Sequence, residues 1–391
     1  MYRVVLYCPD RHLVYEAATA DRIGVGGGVT ARLRLAQALA GQGCRVTVAA
    51  NVPRRESRRG VEYVPLAQAR RLEGDVLILN STGGALDLSP VLELEVEARL
   101  RMVWVGGEAR VGGLDAVPWD FVVAPSNYVR RIVGEVWGVP GDDRRRVIRV
   151  IPNGVPEPPW RPRLPWLRPA GRDPFRLVYT GHPAKGLGAA LELLRLLRSE
   201  ERRFELHVFG GPRLWGQEET PFAPPEGVVW HGLVGQRELG AALRRATFAI
   251  HLQGIADGFG IALAEAMAAG CIAVASRIGA YPELIRDGYD GFLIDGPHEA
   301  AETLARAARL ILGLARAPEL AAVVRRNAGA SPLRWSTVAR AWMGEWDRVL
   351  GGKSERWEAL GDCPECGGGA YALADGYHCP GCGRFSRDLP G

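Results

Sequence analysis

The feature that most constrains the fold is an alternation of short apolar, strand-like runs with helical patterns, which predicts a parallel α/β architecture. The alternation occurs in two series along the chain. The first series has strand-like runs at residues 4–7, 45–49, 75–79, 101–105, 121–124 and 147–151. The second has them at 176–180, 205–209, 228–231, 248–251 and 272–275. The clearest helical patterns lie at 30–40, 127–137, 187–197 and 238–246.

A proline-rich stretch separates the two series. Residues 156–174 contain seven prolines, which cannot pair into a sheet interior, so this stretch is interpreted as a linker. The sequence therefore predicts two Rossmann-like, doubly wound domains that face a cleft, at 1–155 and 175–330. A C-terminal helix is predicted within 331–352, where Trp342, Trp346 and Leu350 share one face, and a small cysteine module follows at 361–387.

Composition excludes several classes of protein. The 391 residues are 47% hydrophobic and carry a formal net charge of +5. This mild positive bias suits an anionic ligand but is too small to indicate a nucleic-acid partner. No apolar run reaches the roughly 18 residues of a membrane span, and no long apolar stretch opens the chain as in a signal peptide. We therefore expect a cytoplasmic protein and leave open peripheral binding at the inner face of a membrane.

A first glycine-rich loop lies between the first strand-like run and a helical pattern. It contains Gly24, Gly26, Gly27 and Gly28, ahead of Thr30, where the helix is expected to begin. Glycines let a ligand approach the backbone, and free amides at the start of a helix favour anions. The spacing differs from the dinucleotide-binding fingerprint, so the loop is either a ligand loop or a flexible turn.

A second loop of this kind opens the second series. Here the run 176–180 leads into Gly181, His182 and Lys185, and a helix follows. Lys185 is one of only two lysines in a chain that otherwise uses arginine. An ammonium group beside loop amides can neutralise a diphosphate, and His182 can donate a hydrogen bond to the same group. The alternative for Lys185 is a solvated position in a surface loop.

The most informative stretch is DGFGIALAEAMAAG at residues 257–270. Gly258 and Gly260 open a helix, Asp257 precedes it, and Glu265 lies about two turns along it. Carboxylates are good acceptors for the hydroxyls of sugars and ribose. Asp257 could instead cap the helix, and Glu265 could be a solvated helical position. However, the neighbours of Glu265 are apolar, so a carboxylate there needs a partner.

These motifs, in this order, resemble the retaining glycosyltransferases of the two-domain GT-B fold in family 4. The hallmark of that family is two acidic residues separated by seven others, which is the spacing of Asp257 and Glu265. The resemblance spans roughly residues 1–350. Further matching segments are Pro125-Ser126, VIPNGV at 150–155, Gly279, Pro282-Glu283, Asp287-Gly288 and GFL at 291–293.

The resemblance implies transfer of a sugar from a UDP- or GDP-linked donor, with retention and with no metal at the transfer site. It implies three catalytic residues: Asp257 would hold hydroxyls of the donor sugar, Glu265 the ribose hydroxyls, and Lys185 the diphosphate. The acceptor could be a glycan, a lipid, a protein or a small molecule. Further donor-binding positions would be Gly26, Gly27, His182, Gly258, Phe259, Gly260 and Ile261.

Three positions depart from the family pattern. Asp257 is one methylene shorter than the usual glutamate. The arginine that often precedes the lysine is absent, and only a short spacer after His182 leads to Lys185. Where many members have a histidine after the fourth strand of the first domain, this chain has a glycine pair and then Glu108. The first-domain site is either rebuilt, with Glu108 or His12 as candidates, or the chain does not catalyse the usual reaction.

Four of the seven cysteines form a separate pattern at the C-terminus. Two CxxC pairs, Cys363 with Cys366 and Cys379 with Cys382, have twelve residues between them. Four thiolates at this spacing complete a tetrahedral structural zinc site, and disulfides are not expected in a protein that is not exported. We therefore predict a zinc ribbon. The other three cysteines are expected to be buried thiols: Cys8, Cys44 and Cys271.

Two other functions compete with the transferase. One is another enzyme of the same architecture, such as a phosphorylase or an epimerase. A phosphorylase is disfavoured because it needs a lysine for a pyridoxal cofactor, and the second domain contains no lysine beyond Lys185. The other is a catalytically degenerate scaffold or binding protein that uses the zinc ribbon for docking. The sequence predicts neither the acceptor nor the oligomeric state.

Overall fold

The computed structural model describes residues 1–81, 86–139, 148–157, 171–218, 223–351, 359–363, 369–373, 376–379 and 384–386. The chain forms two compact units. The first unit consists of Met1–Ala18, Gly27–Val155 and Pro332–Gly391, and the second of Thr19–Gly26 and Pro156–Ser331. Most of the proline-rich linker, residues 158–170, lies outside the described residues.

The first unit contains an eight-stranded sheet in the order β3-β4-β2-β1-β5-β6-β7-β8. Every pair is parallel except β3 with β4. Each predicted run overlaps a strand, but β5 and β6 extend further because their first halves alternate between exposed and more buried residues. The strands are Arg3–Tyr7, Arg45–Ala50, Glu56–Arg58, Val61–Pro65, Arg71–Asn80, Glu95–Trp104, Phe121–Ala124 and Ile148–Val150, as β1 to β8.

The second unit contains a six-stranded parallel sheet in the order β11-β10-β9-β12-β13-β14. All five predicted runs are strands, and β14 adds an edge that the pattern did not reveal. The strands are Asp173–Thr180, Glu205–Phe209, Val228–Gly232, Ala246–His251, Ile272–Ser276 and Gly291–Ile294, as β9 to β14. Strand β9 therefore begins inside the predicted linker.

Ten α-helices lie in the described part of the chain, none of them long and apolar enough to cross a membrane. The large core cluster of the second unit includes Leu193, Ile250 and Ile311, from two helices and a strand. In chain order, α1 to α10 are Thr19–Arg22, Gly26–Gly41, Asn127–Arg131, Leu187–Glu200, Gln236–Leu243, Ile261–Ala268, Tyr281–Leu284, Ala301–Arg316, Pro318–Gly329 and Trp335–Leu350.

Two helical predictions need correction. Helix α2 begins at Gly26, which has a φ of +75°, so the glycine cluster forms its first turn instead of a loop before it. The pattern at 127–137 forms the short helix α3 and then a π-helical turn, Ile132–Val136. After residue 300 the chain forms three helices, since Pro318 starts a new one and residues 330–334 are not helical.

Helix α10 packs on the first sheet, although it is separated from that sheet by the whole second unit in sequence. Trp346 is fully buried, its ring lies edge-on to Tyr2, and its indole nitrogen donates to the sulfur of Met102 at 3.2 Å. Trp342 lies edge-on to Trp104 in the same way. The predicted apolar face of this helix is therefore confirmed for both tryptophans.

A small antiparallel sheet follows α10. Its strands β15 to β18 pair in chain order, with β16 next to α10. Cys363 and Cys379 each follow directly after a strand and are buried, whereas Cys366 and Cys382 lie outside the described residues. The strands are Ala359–Asp362, Gly369–Leu373, Gly376–His378 and Phe385–Ser386.

We predict that Trp346→Ala destabilises the first unit by about 3–5 kcal/mol, because it leaves a large cavity between α10 and β6. Hydrogen exchange measured by mass spectrometry should show faster exchange in β1 and β6 and unchanged exchange in β9 and β12. Val349→Ala on the same helix is the control, since Val349 is 44% exposed and should leave every strand unchanged. Faster exchange confined to the second sheet would contradict the packing of α10.

Candidate functional site

The site begins where the strand order of the second sheet reverses. From β9 the chain adds strands on one side, through β10 to β11, and then returns to add β12 to β14 on the other side. Loops that follow the two central strands, β9 and β12, diverge at this point and leave an open crevice at their carboxyl ends. The loop with Lys185 follows β9, and the loop with Asp257 follows β12.

The crevice contains an ion pair between Lys185 and Asp257, which are 72 residues apart in sequence. Two further donors contact the second carboxylate oxygen of Asp257. The hydroxyl of Tyr281 donates to Oδ2 at 2.8 Å, and Nε2 of Gln253 donates to the same oxygen at 3.1 Å. The carboxylate is therefore fixed on both oxygens by three side chains, which define the Lys185–Asp257 cluster.

Burial and charge act in opposite directions on Asp257. Burial by itself would raise the pKa of its carboxyl group. The charge of Lys185, together with hydrogen bonds from Lys185, Tyr281 and Gln253, outweighs burial, so the pKa of Asp257 is lowered. Asp257 is consequently a carboxylate at neutral pH and can accept hydrogen bonds from a ligand's hydroxyl groups.

The buried side chain of His251 lies next to the Lys185–Asp257 cluster, on the hydroxyl of Tyr281. Nδ1 of His251 lies 3.4 Å from the Tyr281 hydroxyl, and Nε2 lies 3.3 Å from Oγ1 of Thr180. Burial lowers the pKa of His251 to about 4, so the ring is neutral at pH 7. The Tyr281 hydroxyl donates to Asp257 and can accept from Nδ1–H, which leaves Nε2 to accept from Thr180.

Two glycines make this packing possible. Gly260 has a φ of +86°, and a Cβ atom there would lie 2.5 Å from the ring of Tyr281. Gly279 has a φ of +58°, and a Cβ atom there would lie 2.7 Å from the carbonyl oxygen of Asp257. Side chains at these positions would displace either Tyr281 or the backbone of Asp257. Both glycines are therefore required for the carboxylate to meet its partners.

Glu265 lies on α6, the helix that starts directly after Gly260. It is buried although its helix neighbours are apolar, and Nε2 of Gln236 lies 3.4 Å from one of its carboxylate oxygens. The structure thus agrees with the expectation that this carboxylate needs polar partners. The neighbouring donor candidates are Gly258, Phe259, Gly260 and Ile261, at the N-terminal end of α6.

His182 supports the loop that contains Lys185. Its Nδ1 accepts from the amide of Ala184 and caps the 3₁₀ turn Pro183–Lys185, and its Nε2 lies 3.1 Å from Oε1 of Gln217. The imidazole stacks on Trp215, with ring centroids 3.7 Å apart. Both ring nitrogens of His182 are engaged with protein groups, so its clearest role is to hold the turn.

The first unit has its own charged cluster where its strand order reverses, between β1 and β5. The guanidinium of Arg32 is fully buried and donates to Asp10 at 2.7 Å and to Asn80 at 2.9 Å. Nδ1 of His12, an exposed side chain, lies 3.4 Å from the other oxygen of Asp10. Glu108 accepts from the hydroxyl of Tyr128 at 2.6 Å.

Sequence reasoning missed the residues that position Asp257. Tyr281, Gln253 and His251 belong to three separate segments, and no spacing rule connects them with Asp257. It also missed Arg32, which is one arginine among many in the sequence. A weak signal existed for His251 alone, since a histidine at the end of an apolar strand is unusual in a buried position.

The low pKa of His251 gives a pH prediction. The unfolded chain takes up a proton near pH 6.5 and the folded chain only near pH 4, so stability falls as the pH drops between these values. The loss attributable to His251 is on the order of 3 kcal/mol. His251→Gln should therefore show a shallower decline of the unfolding free energy between pH 6.5 and 4, measured by urea denaturation.

Thr180→Val is the control for this experiment, because it removes a partner of His251 and keeps the titrating ring buried. It should retain the steep wild-type decline. If the unfolding free energies of wild type and His251→Gln declined in parallel with pH, His251 would have the same pKa in the folded and unfolded chains, and the prediction would be wrong.

Comparisons with known proteins find a family to which part of the chain is similar. The sequence model of the family described as Glycosyl transferases group 1 matches residues 174–313, within the second unit. A D-inositol 3-phosphate glycosyltransferase of Streptomyces griseus subsp. griseus is 35% identical over 173 residues, 40% of this chain and 34% of the relative. A phosphatidyl-myo-inositol mannosyltransferase of Mycobacterium leprae is 31% identical over 214 residues, 51% of this chain and 53% of the relative.

The chain thus spans about a third to a half of the length of these curated relatives. Among solved structures, a sucrose-phosphate synthase from Thermosynechococcus elongatus superposes with a TM-score of 0.62 at 16% identity. That superposition covers 90% of this chain and 100% of the other. The likeness in structure establishes a GT-B-like fold. Residues 174–313 are similar to the glycosyl transferases group 1 family over the matched part of the second unit.

Proposed function

We propose that this protein is a glycosyltransferase that moves a sugar from a nucleotide-diphosphate sugar to an acceptor. The observation that carries the proposal is the Lys185–Asp257 cluster at the strand-order reversal of the second sheet. It combines a cation, a carboxylate held ionised and the start of a helix in one crevice. These are the groups that a donor with a diphosphate and a polyhydroxylated sugar requires.

In this proposal Asp257 accepts hydrogen bonds from hydroxyls of the donor sugar. Its side chain is shorter than that of the glutamate common in the family, but hydrogen bonds from Tyr281 and Gln253 to Oδ2 fix the position of its carboxylate. A carboxylate that is already oriented and ionised loses little conformational freedom when the sugar binds. The shorter side chain would then be compensated by a different depth of the sugar in the crevice.

Lys185 would interact with the diphosphate. In the structure its ammonium group pairs with Asp257, and its loop is held by the His182 cap. When the bond between the sugar and the diphosphate breaks, negative charge increases on the phosphate oxygens. Lys185 and the amides of Phe259, Gly260 and Ile261 at the start of α6 would stabilise that charge.

Glu265 would bind the ribose hydroxyls of the donor. Its position on α6, behind the amides that approach the diphosphate, fits a group further from the reacting bond. We further propose a retaining reaction, on the basis of the two acidic residues with seven others between them. The acceptor proton would then pass to the departing phosphate on the same face of the sugar.

We predict that Lys185→Ala weakens UDP or GDP binding at least about tenfold, the effect of losing one hydrogen bond to a charged group. Isothermal titration calorimetry would measure nucleotide binding, and release of sugar from the donor would measure turnover. Glu265→Ala should weaken nucleotide binding, and Asp257→Asn should reduce turnover more than nucleotide binding. Inositol phosphates and phosphatidylinositol are the first acceptors to test, since the relatives are named for them.

Arg195→Ala on α4 is the matched control, because it removes an exposed cation close in sequence to Lys185 that pairs only on its own helix. It should bind and turn over like wild type. Full activity of both Lys185→Ala and Glu265→Ala would overturn the assignment. Nucleotide binding without turnover of any donor would favour the degenerate scaffold.

We also propose a structural zinc ion held by Cys363, Cys366, Cys379 and Cys382. Among the described residues there is no cluster of three or more metal-ligating side chains, and two of the four cysteines lie outside that part of the chain. The fit rests on Cys363 and Cys379, which are both buried and both follow a strand of one antiparallel sheet. Four thiolates would supply a closed site that cross-links β15–β18.

Cys363→Ser should remove zinc from the purified protein, measured as metal per chain by mass spectrometry, since three ligands rarely retain a structural zinc. Cys44→Ser is the control, because Cys44 is buried in the first unit far from the cysteine pairs in sequence, and its loss should leave the zinc content unchanged. Protein purified without zinc and unable to bind it would refute the site. UDP binding by both variants should remain that of wild type.

A further inference from the structure

The second unit contains a cavity beside the Lys185–Asp257 cluster, with which it shares Gln253. It has a volume of about 300 Å³ and lies at the carboxyl ends of β13 and β14. Its polar lining comes from Gln253, Ser276, Arg277, Asp295 and His298, which define the Arg277–His298 cavity. This volume is at the lower end for small-molecule sites and accommodates a ligand about the size of one sugar ring.

The charges in the lining are balanced. Nε of Arg277 donates to Asp295 at 2.8 Å, and a terminal nitrogen donates to Asp287 at 2.7 Å. One cation therefore lies between two carboxylates, and His298 lies 3.6 Å from the carboxylate of Glu299. An anionic ligand would meet the carboxylate of Asp295, and the guanidinium of Arg277 is already paired with two carboxylates, so the lining favours a neutral molecule.

The shape and chemistry of the lining fit a cyclic polyol. Guanidinium, carboxylate and amide groups offer paired donors and acceptors in fixed planes, which match adjacent hydroxyls on a ring. Ile278 and Ile294 supply apolar surface for the C–H face of such a ring. Ser276 accepts from the amide of Gln253 at 2.9 Å, and its own hydroxyl can donate into the cavity.

Gln253 connects the cavity with the candidate transfer site. It is almost fully buried, and its Nε2 donates to Asp257 at 3.1 Å and to the carbonyl of Ile255 at 2.7 Å. The next residue is Gly254, where a Cβ atom would lie 2.6 Å from the ring of His298. The ring of His298 therefore abuts the loop that holds Asp257, so a ligand in the cavity lies one side chain away from that carboxylate.

We propose that the Arg277–His298 cavity is a subsite for one neutral sugar ring adjacent to Asp257. The role of this subsite in sugar transfer rests on the proposed function. The binding of a sugar ring in the cavity rests only on the residues that line it. Two sources of this chemistry are a sugar ring of the acceptor and the sugar of the donor itself. The experiment below distinguishes them.

The test uses the full chain and saturation-transfer NMR with glucose, mannose, galactose and N-acetylglucosamine. At least one should bind saturably. Asp295→Asn and His298→Ala should each weaken that binding about tenfold, the loss of one hydrogen bond to a charged or buried group, and leave UDP binding unchanged. Asp287→Asn is the control, because it removes the partner of Arg277 that does not line the cavity, and it should bind the sugar like wild type. Thermal unfolding would establish that each variant is folded.

Displacement identifies the source of the ring. If UDP-glucose displaces the bound sugar and UDP does not, the cavity holds the sugar of the donor; if neither displaces it, the cavity holds an acceptor ring. Absence of saturable binding by all four sugars, or equal binding by wild type and the two lining variants, would overturn the subsite. Tighter binding of glucose 6-phosphate than of glucose would overturn the neutral assignment. A wild type that binds sugar and no nucleotide would refute the proposed function and keep the subsite.

Discussion

Between β9 and β12 the chain changes the side on which it adds strands, and the chemistry of the second unit depends on that reversal. Loops after neighbouring parallel strands normally pack against each other, whereas here they diverge and leave polar groups at the edge of the sheet. Lys185 and Asp257 meet there from loops 72 residues apart. The first sheet has the same reversal between β1 and β5, and there the ion pair of Arg32 with Asp10 occupies the corresponding position.

The two ion pairs have different environments, and the difference bears on function. Arg32 is fully buried and its donors are used within the protein, on Asp10, Asn80 and a tyrosine hydroxyl. A pair of that kind is costly to break and is suited to fix a loop. Lys185 and Asp257 are each about a fifth exposed, so a ligand can reach both charges and exchange one partner for another. Of the two pairs, the Lys185–Asp257 pair is the one whose charges are both partly exposed to solvent, as the proposed binding role requires.

The sequence predicted the architecture well because strands and helices of an α/β domain have strong local patterns. Each strand-like run overlaps a strand, and the buried faces of Trp342 and Trp346 followed from their spacing. Helix α2 was predicted four residues short because glycine has a low helix propensity, and tertiary context overrode that preference at Gly26. Asp257, Glu265 and Lys185 could be proposed from the sequence because each lies near a glycine motif with a recognisable spacing.

The partners of Asp257 could not be predicted, because they depend on contacts between segments that are distant in sequence. Tyr281 reaches the carboxylate only where Gly260 and Gly279 leave space, and neither glycine indicates which side chain will use that space. A partly buried carboxylate with three donors is already oriented, and burial keeps the neighbouring His251 ring neutral. The crevice therefore presents the carboxylate of Asp257 in a fixed position. In the proposed function, hydroxyls of the donor would bind that carboxylate while the diphosphate competes with it for Lys185.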